Sequence, residues 1–554
     1  MLLSCAEAVA ILAIEKWLMR KNGIFLVIDA LRQDVFDDSR GAKVLFPNLF
    51  ELADKGILRP AVANAQATQF VMPSLFSQTY PLDYGGYNAG IRERPRSYAE
   101  QLQESGYSTQ LMASCNQLGV THGYERGFDG LHTAQDSRLV LAHFLERRVA
   151  YDVERWRSGE ISQKEVLGIV VPAMRDLLEI ITGIVGEDRG RIWPVKLRFI
   201  NEQVAKACPH ELTLLHQNPL AVLEKIKKIP PILYWRYLGK IQPERSYMWH
   251  RLKEAIRWRV ERILAKIDFP ILFLAHFETK ADEVMKGVSD FIRRAKGPWS
   301  IHLHLMDVHD CQSFSRPARA LRRLEFLPRW IKARLRGQTN RRFTYDSALM
   351  FVDREIGKLL ETLRERDCLE NLILLITGDH ANYFAESPRP RENVALRTHY
   401  EDIDIPMVLY GTELTSKKSG MLDSMGINAT YLEALGVPSH KNFKGKSIFL
   451  GGRNAIISES AGSGNSDVVN KDLYFTVSTE KYRMMCVMEG SSIEVLKLYD
   501  RINDPKELEN ISGNPESLNV VKGLIYYLET ERREILETRG YDFASFSGTE
   551  EPAG

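Results

Sequence analysis

The chain has no CxxC pair, no apolar run long enough to span a bilayer, no internal repeat and no low-complexity tract. Its six cysteines (Cys5, Cys115, Cys208, Cys311, Cys368 and Cys486) are too scattered for a structural zinc site or a small disulfide framework. Reduced thiols in the cytoplasm are the default expectation. Neither charge dominates: the formal net charge of +2 gives no electrostatic call for nucleic acid, and no recognition motif supplies one. The apolar-leaning stretch Leu2 to Leu18 is interrupted by Glu7, Glu15 and Lys16, the reverse of a signal peptide's charge order. It is expected to be a helix packed on the first strand, with a membrane-surface anchor as the alternative.

At 554 residues the chain exceeds one simple core, so a large domain with additions is expected. Ile24 to Ile28 is an unbroken apolar run of strand length ending at Asp29. Ser300 to Leu305 and Leu372 to Thr377 are two more, leading into Met306-Asp307-Val308-His309 and Gly378-Asp379-His380. Between the last two, Leu349, Val352, Ile356, Leu359 and Leu363 fall on one helical face. Strand–helix–strand order predicts a largely parallel sheet with helices on both faces. Such α/β sheets bind ligands beyond the carboxyl ends of their strands, where all three polar clusters sit.

Residues 133–296 read as a helical insertion, with breaks at Gly183–Gly190 and Pro230-Pro231. Leu252, Ile256, Val260, Ile263 and Ile267 form an apolar stripe there, with arginine and lysine on the other faces. The predicted division is therefore a discontinuous α/β domain (1–132 and 297–450), the insertion 133–296, and a smaller C-terminal α+β region (451–554). The last closes on a helix at Leu518–Glu537, and the tail Ser545–Gly554 is expected to fray.

Asp29, Asp379 and His380 make a set of two carboxylates and an imidazole. It suits zinc or manganese at least as well as calcium or magnesium. His309 and His399 add groups able to bind metal, hold an anionic ester or protonate a leaving oxygen.

The order of short motifs resembles the sulfatase family of the alkaline phosphatase superfamily. Phe25–Arg32 resembles its opening strand, Pro47-Asn48-Leu49 with Leu52–Gly56 its TPNLDRLAxxG segment, and Tyr98–Leu102 through Tyr107 its LAEyLkexGY helix. Arg126–Asp129, Met306–Asp310, Gly378–His380 and Ile405–Leu409 resemble its RGFD, MDPHxPY, SDHG and VPLi elements. Leu498-Tyr499-Asp500 with Asp504–Asn510 resembles its closing LYDLxxDPxExxNL signature. The resemblance spans about residues 24 to 510 and leaves out the insertion. It implies an alkaline-phosphatase-like fold and a metal held by Asp29, Asp379 and His380. It also implies that His309 contacts substrate or assists the leaving group, and that His399 lies against the transferred group. Arg32 and Asn116 are expected to touch substrate, although for these two and for Asp307 a structural role stands equally open.

Two departures matter. The family's nucleophile motif, C/S-x-P-S-R, corresponds here to Val71-Met72-Pro73-Ser74-Leu75, which puts Val71 in the nucleophile position and excludes formylglycine chemistry in its known form. Thr68 or Ser74 as an oxygen nucleophile, a metal-bound water, or loss of turnover with retained binding all remain open. Ala30 replaces the second aspartate of calcium-type sulfatases, which shifts the expected metal towards zinc or manganese. The expected activity is hydrolysis or transfer of a sulfate or phosphate ester, on a glycan or lipid head group. The alternative is an impaired sulfatase-fold protein that binds an anionic partner.

Between Arg316 and Arg342 ten cationic residues face the single acid Glu325, with Phe326, Leu327, Trp330 and Ile331 interleaved. This segment is either a solvated face or a surface for a polyanion or an anionic membrane.

Overall fold

The computed structural model describes residues 20–37, 41–115, 118, 120–133, 136–186, 195–241, 246–266, 281–309, 327–337, 340–383, 392–414, 420–462 and 465–543. The expected helix at Leu2–Leu18, the tail, Asn116 and residues 316–326 lie outside them.

Among the described residues, seven strands form the central sheet: β1 (Asn22–Ile28), β2 (Ile57–Val62), β3 (Ser108–Ala113), β4 (Gly130–Thr133), β5 (Trp299–Leu305), β6 (Leu372–Thr377) and β7 (Asp404–Tyr410). Their order is β2-β7-β6-β1-β5-β3-β4. From β6 to β4 every pairing is parallel, while β7 runs antiparallel to both its neighbours. The apolar runs take central places because both faces are covered. Phe25 and Val27 point into one core, and Ile24, Leu26 and Ile28 into the other. The predicted crossover helix is Asn340–Glu365, and its five stripe residues are all buried in the second core.

Helices alone occupy the described part of the chain between β4 and β5. Residues between Val140 and Leu238 close around their own apolar cluster. A second sheet follows, order β11-β10-β9-β8, built of β8 (Ile456–Ser460), β9 (Leu473–Ser478), β10 (Tyr482–Glu489) and β11 (Ser492–Asp500), antiparallel throughout. The closing helix ends at Glu531, and a short one resumes at Arg533–Thr538 across a non-helical Arg532. At this break Arg532 is buried and bound to Glu459 and Asp83.

Leu252, Ile256 and Val260 of the expected apolar stripe lie on the helix Ser246–Lys266 with their side chains exposed. Periodicity identifies an amphipathic helix without saying what its apolar face meets.

Candidate metal centre

β1 lies between β5 and β6, so the loops after all three strands share one edge of the sheet. The turn after β1 is tight. Asp29 N donates to Leu305 O at 2.9 Å, and Ala30 adopts a left-handed φ of 63°. A non-glycine residue there is strained, and such strain concentrates at functional turns. Its effect is visible, since the Ala30 N–H donates to Asp379 Oδ1 at 3.1 Å and ties the two carboxylate loops together. Gly378 allows the other loop to approach, because a Cβ there would meet Leu31 O at 2.5 Å. Arg32 adds a third tie, its guanidinium paired with Asp34 and donating to Asn382 O at 2.6 Å.

Ligand atoms of Asp29, Asp379 and His380 lie within 4.8 Å of one another, and all three residues are buried. Two carboxylate oxygens, Asp29 Oδ1 and Asp379 Oδ2, have no hydrogen-bond partner. Each is 3.7 Å from His380 Nε2. On the other side of that ring, Nδ1 meets the Ala381 carbonyl at 2.6 Å, which assigns the proton to Nδ1 and leaves the Nε2 lone pair facing the carboxylates. Buried anionic oxygens without a donor are costly unless a cation meets them. The residues therefore fit a divalent ion. Asp29 is held well below the ordinary carboxylate range: burial opposes its ionisation, but His309, the hydrogen bond from His304, and His380 outweigh it.

Thr68 begins the helix Thr68–Ser77 and places its hydroxyl at the centre. Its Oγ1 donates to Asp29 Oδ2 at 2.9 Å and lies 3.3 Å from His380 Nε2. Val71 is fully buried in the core one turn further on. Ser74 donates to Thr79 O at 2.9 Å, inside the same packed helix. The hydroxyl at the carboxylates is thus Thr68, three residues before the position that the motif spacing selects.

His309 is exposed, with its ring 6.5 Å from that of His380. His399 is buried in a different setting. Its Nδ1 lies 3.0 Å from Glu507 Oε2, its Nε2 3.5 Å from Glu392 Oε2, and its ring packs on Tyr499. Glu392, pulled down to about 2, has burial working against its charge and hydrogen bonds from His399 and Lys497 overcoming it. Asp307 accepts from Ala281 N at 2.9 Å at the start of the helix Ala281–Ile292.

One residue of the centre escaped sequence reasoning. His304, within β5, sets its Nε2 3.3 Å from Asp29 Oδ2. The signal was present in the alternation Ile301-His302-Leu303-His304-Leu305, which puts both imidazoles on one face. His302 takes the apolar option: it stacks on Phe25, lies 2.6 Å from Tyr98 Oη, and burial drives its pKa well below the usual histidine value.

The second sheet reaches the His399 loop through Arg483 on β10. This fully buried guanidinium donates to Glu507 Oε1 at 2.7 Å and to Ser478 Oγ at 2.9 Å, and pairs with Asp404. Arg483→Met is expected to cost about 3–5 kcal/mol by leaving Glu507 buried without its cation. Chemical or thermal denaturation checks this, and a loss below about 1 kcal/mol contradicts the assigned pairing.

The sulfatase family model matches residues 237–437. Arylsulfatase K of the dog, Canis lupus familiaris, is 24% identical over 214 residues, which are 36% of this chain and 37% of that protein. The matched region thus covers little more than a third of that relative's length. Among solved structures, BT4656 in complex with its substrate D-glucosamine-2-N,6-O-disulfate is 14% identical with a TM-score of 0.55, covering 94% of this chain and 98% of that one. The phosphonate monoester hydrolase of Agrobacterium radiobacter is also 14% identical, with a TM-score of 0.51 and coverage of 93% and 96%. These likenesses show the shared fold. A segment of the chain is thus similar to the sulfatase family, and its fold is shared with BT4656 and the phosphonate monoester hydrolase.

Proposed function

We propose that this protein is a metal-dependent hydrolase or transferase of anionic esters, that Thr68 is its nucleophile, and that the ester is phosphoric rather than sulfuric. One observation carries the reading: a threonine hydroxyl 2.9 Å from a carboxylate whose second oxygen has no partner, at the carboxyl edge of the sheet. Formylglycine is an aldehyde made from cysteine or serine, and the methyl group on the threonine Cβ excludes that conversion. Phosphotransferring relatives use a threonine or serine oxygen directly, as the family resemblance implies.

Asp29, Asp379 and His380 would hold the ion, with zinc or manganese favoured by a set containing imidazole. When bound, the ion supplies charge neutralisation of the ester oxygens and lowers the pKa of a nearby hydroxyl. Thr68 Oγ1 attacks the phosphorus, and its proton has Asp29 Oδ2 as the nearest acceptor, backed by His304 Nε2 at 3.3 Å. The ester P–O bond breaks opposite the attack, and the leaving alkoxide takes a proton from solvent-facing His309. A second acceptor, water or an alcohol, then removes the phosphoryl group from Thr68. Positioning and charge supply most of such a displacement, so few side chains are needed. The substrate class is a phosphate ester of a glycan or lipid head group.

Metal analysis of the purified protein tests this first. Assays on aryl sulfates and on phosphate mono- and diesters follow, with peptide mass spectrometry after acid quench. Stoichiometric zinc or manganese, phosphoester turnover and a phosphoryl group on Thr68 are expected. Bound metal with no turnover of any ester, or an adduct on another residue, rejects the assignment in favour of a binding protein or a different nucleophile.

A further inference from the structure

Besides Met248, which is 70% exposed, the helix Ser246–Lys266 carries four large apolar side chains exposed along one face: Trp249 is 73% exposed, Leu252 50%, Ile256 53% and Val260 44%. Their spacing of three, four and four residues sets them in one stripe along the helix. Arg251, Lys253 and Arg259 are exposed on the same element. Over its whole length the helix sequence has six lysines and arginines against Glu254 and Glu261. A continuous exposed stripe of this kind is unusual on a soluble surface and marks a contact site.

We propose that this helix docks the protein on an anionic lipid surface, lying in the head-group plane with Trp249, Leu252, Ile256 and Val260 inserted and the cations at the phosphate level. The proposal is independent of the chemistry at Thr68.

The charge pattern selects the occupant. A polyanion in solution would engage the cations and leave the stripe wet. A second copy of the same face would bring basic residues against basic residues. An anionic bilayer satisfies both features at once, since acyl chains receive the apolar stripe while lysine and arginine stems extend towards the head groups. Among the described residues no helix is long and apolar enough to cross a membrane. The short helix Leu327–Leu335 repeats the chemistry on a smaller scale, with Ile331 and Leu335 exposed beside exposed Lys332 and Arg334. Arg342, by contrast, is no part of such a surface, because it is buried and paired with Asp34 and Asp346.

Co-sedimentation of the full chain with vesicles tests the proposal, using phosphatidylcholine alone and phosphatidylcholine with phosphatidylserine. Recovery with the serine-lipid vesicles only, weakening as salt rises, is the expected result. The double variant Leu252→Glu, Ile256→Glu is expected to partition at least about tenfold less. Its melting temperature should stay that of the unaltered protein, because both side chains already stand in water. Equal recovery of the double variant and the unaltered chain overturns the proposal, and so does equal recovery on the two vesicle types. Light scattering that shows a dimer dissociated by Ile256→Glu also overturns it, since a second copy would then cover the stripe.

Discussion

Thr68→Ala is expected to lower phosphoester turnover by about 10⁴-fold or more while leaving metal content unchanged. The alanine side chain keeps the helix Thr68–Ser77 and removes the hydroxyl 2.9 Å from Asp29 Oδ2 together with the Cγ2 methyl. Loss of a nucleophile of this kind removes a covalent step that nothing else at the centre supplies, and about 10⁴-fold corresponds to roughly 5.5 kcal/mol of transition-state stabilisation. The folding cost is much smaller, about 1 kcal/mol for one lost hydrogen bond. Thr68→Ser, which keeps the oxygen, should retain measurable turnover and form the same adduct on residue 68. If the alanine variant turns over at the normal rate with its metal in place, the attacking oxygen belongs to water and the role given to Thr68 is wrong.

The second large effect changes sign with metal. Without an ion, Asp29 and Asp379 present partnerless buried oxygens, and both stand at the same distance from one imidazole nitrogen. Asp379→Asn relieves that repulsion while keeping an oxygen for the Ala30 N–H, so the chelated protein should become more stable by about 1–3 kcal/mol. With saturating ion the order reverses. An ion at about 100 times its dissociation constant stabilises the unaltered protein by about 2.7 kcal/mol, and the variant should gain little of this. Melting curves of both proteins with chelator and with zinc or manganese give the four values needed. Parallel shifts in the two proteins would mean that Asp379 does not hold the ion.

The residues that were legible in the sequence are those whose local chemistry forces their position. Ile24 to Ile28 and Leu372 to Thr377 are too apolar to lie anywhere but inside a sheet, so Asp29 and Asp379 had to emerge at its edge. Their meeting with His380 was readable for the same reason. Thr68 was harder, because the Pro73-Ser74 pair invites an alignment that lands on Val71. The start of a helix against a carboxylate is a three-dimensional fact, and spacing within the motif does not carry it. His304 was hidden by a strand of otherwise apolar residues, where a histidine reads as core, as its neighbour His302 is. The carboxylates that hold His399 come from residues more than a hundred positions away in one case and seven in the other, so neither pairing has a local signature. The stripe from Leu252 to Val260 was legible as a stripe but its exposure was not, since an apolar face looks the same in sequence whether protein or something else covers it.

Because β6 slots in beside β1, the centre unites groups 349 residues apart along the chain, as the Ala30–Asp379 contact shows. A growing polypeptide releases Asp29 and Thr68 early and then has only one of the three proposed ligands until Asp379 and His380 have been made. Under the proposed function, ion capture at this place would belong to the late stages of assembly, after the long helical excursion has returned to the sheet. On the proposed reading, a chain cut short before β6 would carry Thr68 and Asp29 and still never load, so uptake of the ion would report that β6 has joined β1.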